Sequence, residues 1–121
     1  MLINLSNHPS ENWDGSQKSE AIKQFGKIYD LPFPSVDPEG DEFYILQLAE
    51  SYFKKIIKIF NKTNDPNNAV HIMGELTFSF QLVGLLKHNN IICIASTTER
   101  QVLNKGNVKS SEFGFCRFRQ Y

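Results

Sequence analysis

Apolar residues along the chain follow two different periods. Met1–Leu5 (MLINL), Ala69–Met73 (AVHIM) and Ile91–Ala95 (IICIA) are short, nearly continuous apolar runs bounded by polar or turn-forming residues. That is the pattern of strands covered on both faces. Between them the spacing changes to threes and fours. In Glu42–Asn61, Ile45, Leu48, Ala49, Tyr52, Ile56 and Phe60 recur at helical intervals while Gln47, Glu50, Lys54 and Lys58 keep to other faces. Leu76–Lys87 is an almost wholly apolar helix. Trp13–Phe25 is a weakly amphipathic one, with Trp13, Ala21, Ile22 and Phe25 as its apolar positions and Gly26 as its stop. Lys27–Leu31 reads as a short strand. The prolines of Leu31–Pro38 exclude a helix there, because each pushes its predecessor into extended conformations. Asp37–Asp41 reads as a turn leading into a helix cap, and Asn64–Asn68 as a break. In the tail, Lys105-Gly106-Asn107 is a turn signal, so Gln101–Tyr121 is expected to form a hairpin with Glu112–Arg119 as its stronger arm.

The order is therefore β-α-β-α-β-α-β followed by a hairpin. Such alternation predicts a single α/β domain over residues 1–121: a three-layer αβα sandwich with a mainly parallel sheet, right-handed crossovers and helices on both faces. The parallel strands are expected in the order second, first, third, fourth. The direction of winding then reverses between Met1–Leu5 and Ala69–Met73, and ligands of open α/β sheets bind at the carboxyl ends of the strands beside such a point.

Composition narrows the partners. Thirteen basic residues balance thirteen acidic ones, so no overall field draws the protein to duplex DNA or to an anionic membrane surface. Any anion site must be local. No apolar run approaches the roughly 20 residues of a membrane span, and Met1–Leu5 lacks the length and basic leader of a signal peptide; a cytoplasmic protein is expected. Cys93 and Cys116 make neither a disulfide framework nor a zinc pattern, and the three histidines have no metal-ligand spacing, so no metal is expected.

Three polar segments fall at predicted strand ends. Ser96-Thr97-Thr98-Glu99-Arg100 follows the fourth strand as a strand-to-loop transition. Its hydroxyls, amides and guanidinium can converge on phosphate oxygens, and equally they can be a solvated loop. Gly74-Glu75-Leu76-Thr77 opens a helix, where free amides can hold an anion, although it has neither a dinucleotide fingerprint nor a P-loop. Glu75 would repel a phosphate. It can accept from a ribose or base, hold Arg100, or serve as a first-turn acid. Ser6-Asn7-His8 ends the first strand, and His8 is either an acid or base near neutrality or an exposed loop histidine. His71 and His88 read as structural. Phe33 either stacks on a base or covers the core. Arg117 and Arg119 read as sharing one face of the last strand with Phe113, Phe115 and Tyr121, a pattern for single-stranded nucleic acid or for a subunit contact.

Together, the strand ending at Gly74-Glu75, the helix after it, the strand running into Ser96-Thr97-Thr98 and Arg100, and the opening strand followed by Ser6-Asn7-His8-Pro9 resemble the small CRISPR-associated accessory proteins of type III systems. The likeness departs in the long Leu31–Pro38 loop and the Arg-rich tail. It implies a Rossmann-like fold, a homodimer, and recognition of a cyclic oligoadenylate messenger in antiviral defence, with ring-nuclease cleavage as the activity. On that resemblance Arg100, Thr97, Thr98 and Ser96 would hold phosphate. Ser6, Asn7, Gly74, Glu75 and Thr77 would add hydrogen bonds, and His8 with Arg100 would be the catalytic pair. No cofactor is implied, because the ribose 2′-hydroxyl of the ring can itself act as nucleophile once oriented. Two further expectations stand beside this one: a module that binds the messenger without cutting it, and a small α/β scaffold for protein partners with no nucleotide site.

Overall fold

The computed structural model describes residues 1–121, the side chain of Leu103 excepted. The chain folds into a mixed α/β domain. In sequence order come β1 (Leu2–Ser6), a 3₁₀ turn (Ser10–Asn12), α1 (Gly15–Phe25), β2 (Ile28–Asp30), α2 (Glu42–Thr63), β3 (Ala69–Met73), α3 (Leu76–His88), β4 (Ile92–Lys105) and β5 (Val108–Gln120). Each helix starts on an acidic cap that satisfies free amides of its first turn. Asp14 accepts from the Gln17 amide at 2.8 Å, Asp41 from that of Tyr44 at 3.0 Å, and Glu75 from those of Thr77 and Phe78. Gly26, at φ 85°, closes α1 in a conformation that side chains disfavour. Trp13 falls outside the helix that was expected to begin with it. The 3₁₀ turn and the Asp14 cap intervene, and extended backbone at Trp13 lays its ring on the sheet, where it is buried.

The sheet has five strands in the order β2-β1-β3-β4-β5, so the parallel strands take the expected sequence. It is nevertheless mixed rather than mainly parallel: the antiparallel β4–β5 ladder is longer than the three parallel ladders combined. The cause is that β4 does not end at Ala95. Ser96–Arg100, expected as a loop, continues the strand, because the antiparallel ladder with β5 runs on as far as Lys105. The two arms meet at Gly106-Asn107, with Gly106 at φ 63°.

A β-bulge breaks this ladder. Thr97 pairs with Arg117 but Thr98 pairs with Phe115, which leaves Cys116 unopposed. The extra residue reverses the side-chain alternation of β5. Phe113 and Phe115 therefore share a face with Phe118, and Phe115 and Phe118 stack at 4.9 Å between ring centres. Arg117 and Arg119 lie on the opposite face, paired with Thr97 and Ala95. The expected stripe of arginines alternating with Phe113 and Phe115 does not exist.

Helices cover both faces of the sheet. On one, Ile3, Leu5, Val70, Ile72 and Cys93 pack against Ile45, Ala49, Ile56 and Phe60 of α2 and Phe78, Leu82 and Leu86 of α3. Phe33 joins this core and stacks edge-on against Phe78 at 5.3 Å, so it covers apolar surface. Burial raises the Cys93 thiol to about 12, which leaves it an unreactive small hydrophobe. On the other face, Trp13, Ala21 and Phe25 cover Leu2, Ala69, Ile94 and Phe118. This second core is smaller, and a line of polar groups runs along its edge. No helix among the described residues is long and apolar enough to cross a membrane.

Candidate functional site

The polar line crosses the sheet on the α1 face. Parallel register sets Asn4 of β1 beside Asp30 of β2 on one side and beside His71 of β3 on the other. Asn4 and His71 are each only 2% exposed, so their polar atoms must find partners inside the protein. They do. Asn4 Nδ2 donates to Asp30 Oδ1 at 2.8 Å and to the His8 carbonyl at 2.9 Å. Asn4 Oδ1 accepts from Ser6 Oγ at 2.8 Å and from His71 Nδ1 at 2.9 Å. His71 Nε2 then faces Ser96 Oγ of β4 at 3.3 Å. One chain of hydrogen bonds thus links four adjacent strands: Asp30, Asn4, His71, Ser96.

These contacts fix proton positions. Both acceptors around Asn4 Nδ2 are oxygens, so the amide orientation is set. Its Oδ1 can only accept, and His71 must carry its proton on Nδ1. Nε2 is left with a lone pair directed at Ser96. The Ser96 hydroxyl also lies 3.0 Å from Met73 Sδ. A thioether is a weak acceptor, so the serine proton goes to the imidazole. Burial, with the His8 charge as a second cause, lowers His71 to about 4, so it is neutral near pH 7. At the far end of the line, burial raises Asp30, but hydrogen bonds from Ser10 and Asn4 outweigh it and hold the carboxyl below its ordinary value. Trp13 locks the outer wall. Its Nε1 donates to the His8 carbonyl at 3.1 Å, and its ring meets His71 edge-on at 5.1 Å.

Above this line opens a crevice of about 360 Å³, lined by Ser6, His8, Asp14, His71, Ser96 and Thr98 with aromatic walls from Trp13, Phe113 and Phe115. It lies at the carboxyl ends of β1 and β3, where the winding reverses. A larger hollow of about 700 Å³ lies where β3 and β4 begin. It is lined by asparagines, Gln24 and apolar side chains without a titratable group, so it offers no comparable chemistry.

The sequence-predicted residues divide. Ser6, His8, Ser96 and Thr98 line the one crevice. Asn7 is exposed outside its lining. Thr97 turns to the other face of the hairpin, where its Oγ1 pairs with the Arg117 backbone at 3.1 and 3.2 Å. Arg100 is exposed and pairs with Phe113, so it projects from the crevice side of the hairpin just beyond the lining. Gly74, Glu75 and Thr77 do not reach the crevice. Glu75 folds back on its own helix, accepting from the Thr77 and Phe78 amides at 3.1 and 2.8 Å and from Thr77 Oγ1 at 2.6 Å. It thereby occupies the amides an anion would need, and those hydrogen bonds lower its pKa. Gly74 has no side chain because the Phe33 ring packs against its Cα.

Sequence reasoning missed Asn4, Asp30 and the role of His71. A signal existed. Asn4 and His71 interrupt apolar runs that otherwise read as strands buried on both faces, and a polar residue there requires a buried partner. Two such interruptions on neighbouring strands are each other's partner.

No solved structure matches this chain. The Uncharacterized protein MJ1673 of Methanocaldococcus jannaschii is 32% identical over 91 residues, a stretch covering 72% of this chain and 66% of that protein, just under two thirds of its length. A match to the family described as Uncharacterized protein MJ1673 runs from residue 1 to residue 119. The chain belongs to that family.

Proposed function

We propose that this protein is a Rossmann-like cytoplasmic domain that binds a cyclic oligoadenylate in the crevice between β1, β3 and β4 and opens the ring. One observation carries the reading: the Ser6–His8 loop and the hydroxyls of Ser96 and Thr98 lie across a single crevice, between aromatic walls. Phe113 and Phe115 offer stacking faces for adenine, a contact worth about 1–3 kcal/mol per base. The hydroxyls and the loop supply hydrogen bonds to ribose and phosphate. Arg100 supplies the charge for a phosphate at the rim. The ribose 2′-hydroxyl, held in line with the neighbouring phosphorus, attacks it, and the crevice walls limit competing attack by water.

A two-fold ligand suits a two-fold dimer, in which one crevice made twice meets the same groups twice. Met73 lines both the crevice and an adjoining apolar notch of about 330 Å³ with Leu76, Phe80, Val83 and Tyr121. Leu76 and Phe80 are 83% and 76% exposed. That surface, continuous with the crevice, is where a second copy would bring the two sites together.

Binding without cleavage is a second reading. It is favoured by the absence of any lysine or arginine among the crevice-lining residues, which leaves little charge to stabilise a phosphorane-like transition state. Incubation with cyclic tetra- and hexa-adenylate, with chromatography of the products and titration of binding, separates the two. The expected result is a linear product ending in a 2′,3′-cyclic phosphate, together with a loss of about thirty-fold in affinity for Arg100→Ala, the worth of one charged contact. Retention of intact rings leaves only the binding module, and no retention removes both.

A further inference from the structure

We propose that Ser96 takes the proton of the bound ring's ribose 2′-hydroxyl and passes its own proton to Nε2 of His71, with Asn4 and Asp30 as positioning residues. The inference rests on the messenger reading above and assigns the proton acceptor to the buried histidine rather than to His8. Geometry separates the two imidazoles. His71 is held in one tautomer by Asn4, and its free lone pair meets the Ser96 hydroxyl. Ser96 is half-buried in the crevice wall and keeps its oxygen lone pairs for a donor on the ligand. His8 is exposed, and among the described residues its hydrogen bonds run through its backbone, not its ring.

The step balances. As the 2′-oxygen forms its bond to the adjacent phosphorus, its proton moves to Ser96 Oγ and the serine proton moves to His71 Nε2. The bond from phosphorus to the 5′-oxygen breaks, and that oxygen keeps the electron pair and takes a proton from solvent. His71 then returns its proton to solvent, and the product carries a 2′,3′-cyclic phosphate. While His71 is charged, its Nδ1–H still donates to Asn4 Oδ1, and the Asn4 amide nitrogen donates to the Asp30 carboxylate. That fixed dipole and anion offset a cation that burial otherwise disfavours. The titratable group that acts directly on His71 is His8 from the loop after β1; Asp30 of β2 reaches it through Asn4, and Asp14, the cap of α1, lines the same crevice with its carboxylate bonded to Ser16, Gln17 and Phe115.

The test uses the whole protein and cyclic tetra-adenylate. The wild-type ring-opening rate is expected to hold from pH 8 down to about 5 and to break near 4, the value to which His71 is lowered. A break at about 6.5, the ordinary imidazole value, overturns the assignment. His71→Asn keeps a donor for Asn4 and removes the basic ring nitrogen, since an amide oxygen can accept a hydrogen bond but not take up the proton. It is expected to lower kcat about 100-fold with ring affinity within about three-fold, and Ser96→Ala does the same. Ser96→Thr keeps the hydroxyl and is expected to recover most of the rate. Unchanged kcat in both His71→Asn and Ser96→Ala overturns the proposal. The wild-type pH profile needs no variant, so it decides the matter even if His71→Asn does not fold. A wild type that binds the ring but never opens it ends this proposal and leaves the binding reading; one that does not bind the ring ends both.

Discussion

Three polar segments follow the apolar runs of β1, β3 and β4, and the one after β3 behaves in the opposite way to the other two. At the end of β3, Glu75 turns back and spends both carboxylate oxygens on the first turn of α3. At β1 and β4, Ser6, Ser96 and Thr98 remain turned toward a shared crevice. The difference lies in the backbone. A helix start offers free amides within reach of a carboxylate carried on two methylenes, so the segment satisfies itself. A strand aims its amides sideways in the plane of the sheet, away from its own side chains. Its side chains must look across to the next strand or out to a ligand. Segments with equally suggestive residue types are thus separated by which local donors remain free.

The largest expected effect comes from breaking the network under the crevice. Asn4→Ala removes the partner of His71 Nδ1, of Ser6 and of Asp30 at once. Ser6 keeps the His8 backbone and Asp30 keeps Ser10, so the buried His71 donor is the group left unpaired, and the loss is expected to be about 3 kcal/mol in urea unfolding, the upper end for one orphaned buried group. A loss below about 1 kcal/mol would mean that the polar line is incidental to the fold.

Acid provides the next largest effect without a mutation. His71 titrates near 4 in the folded protein and, as an ordinary imidazole, at 6.5 once unfolded. Between those values the unfolded chain binds more protons, so stability falls as pH falls. The contribution is full above about 6.5 and is lost progressively toward 4. Integrated from pH 7 to 4.5, it amounts to roughly 2.5 kcal/mol. Urea midpoints at the two pH values measure it. His71→Asn should flatten the slope over that window, and a slope that survives the substitution would place the titrating group elsewhere.

Much of this architecture was legible. Alternating periods placed the strands and helices of residues 1–95, and Gly106-Asn107 marked the hairpin turn. What escaped has physical causes. Ser96–Arg100 carries the polar, hydroxyl-rich composition of a loop, and only the distant pairing with β5 makes it strand. The bulge at Cys116 leaves no compositional trace, yet it moves Arg117 and Arg119 to the opposite face from Phe113 and Phe115. Among the site residues, Ser6, His8, Ser96 and Thr98 were visible because polar types follow apolar runs. Asn4 and His71 lie inside such runs, and their meaning depends on register between strands distant in sequence.

The smallest expected effect tests the self-satisfied segment. Glu75→Ala removes the cap of α3 and should lower stability by about 1 kcal/mol, the usual worth of a helix cap. Because its carboxylate is spent on Thr77 and Phe78, the same substitution should leave cyclic tetra-adenylate affinity unchanged by titration. The two readouts must separate. If ring affinity falls with Glu75→Ala while the fold stays intact, the β3 end takes part in recognition after all. The contrast between a helix start that closes on itself and a strand that stays open would then fail where it makes its sharpest claim.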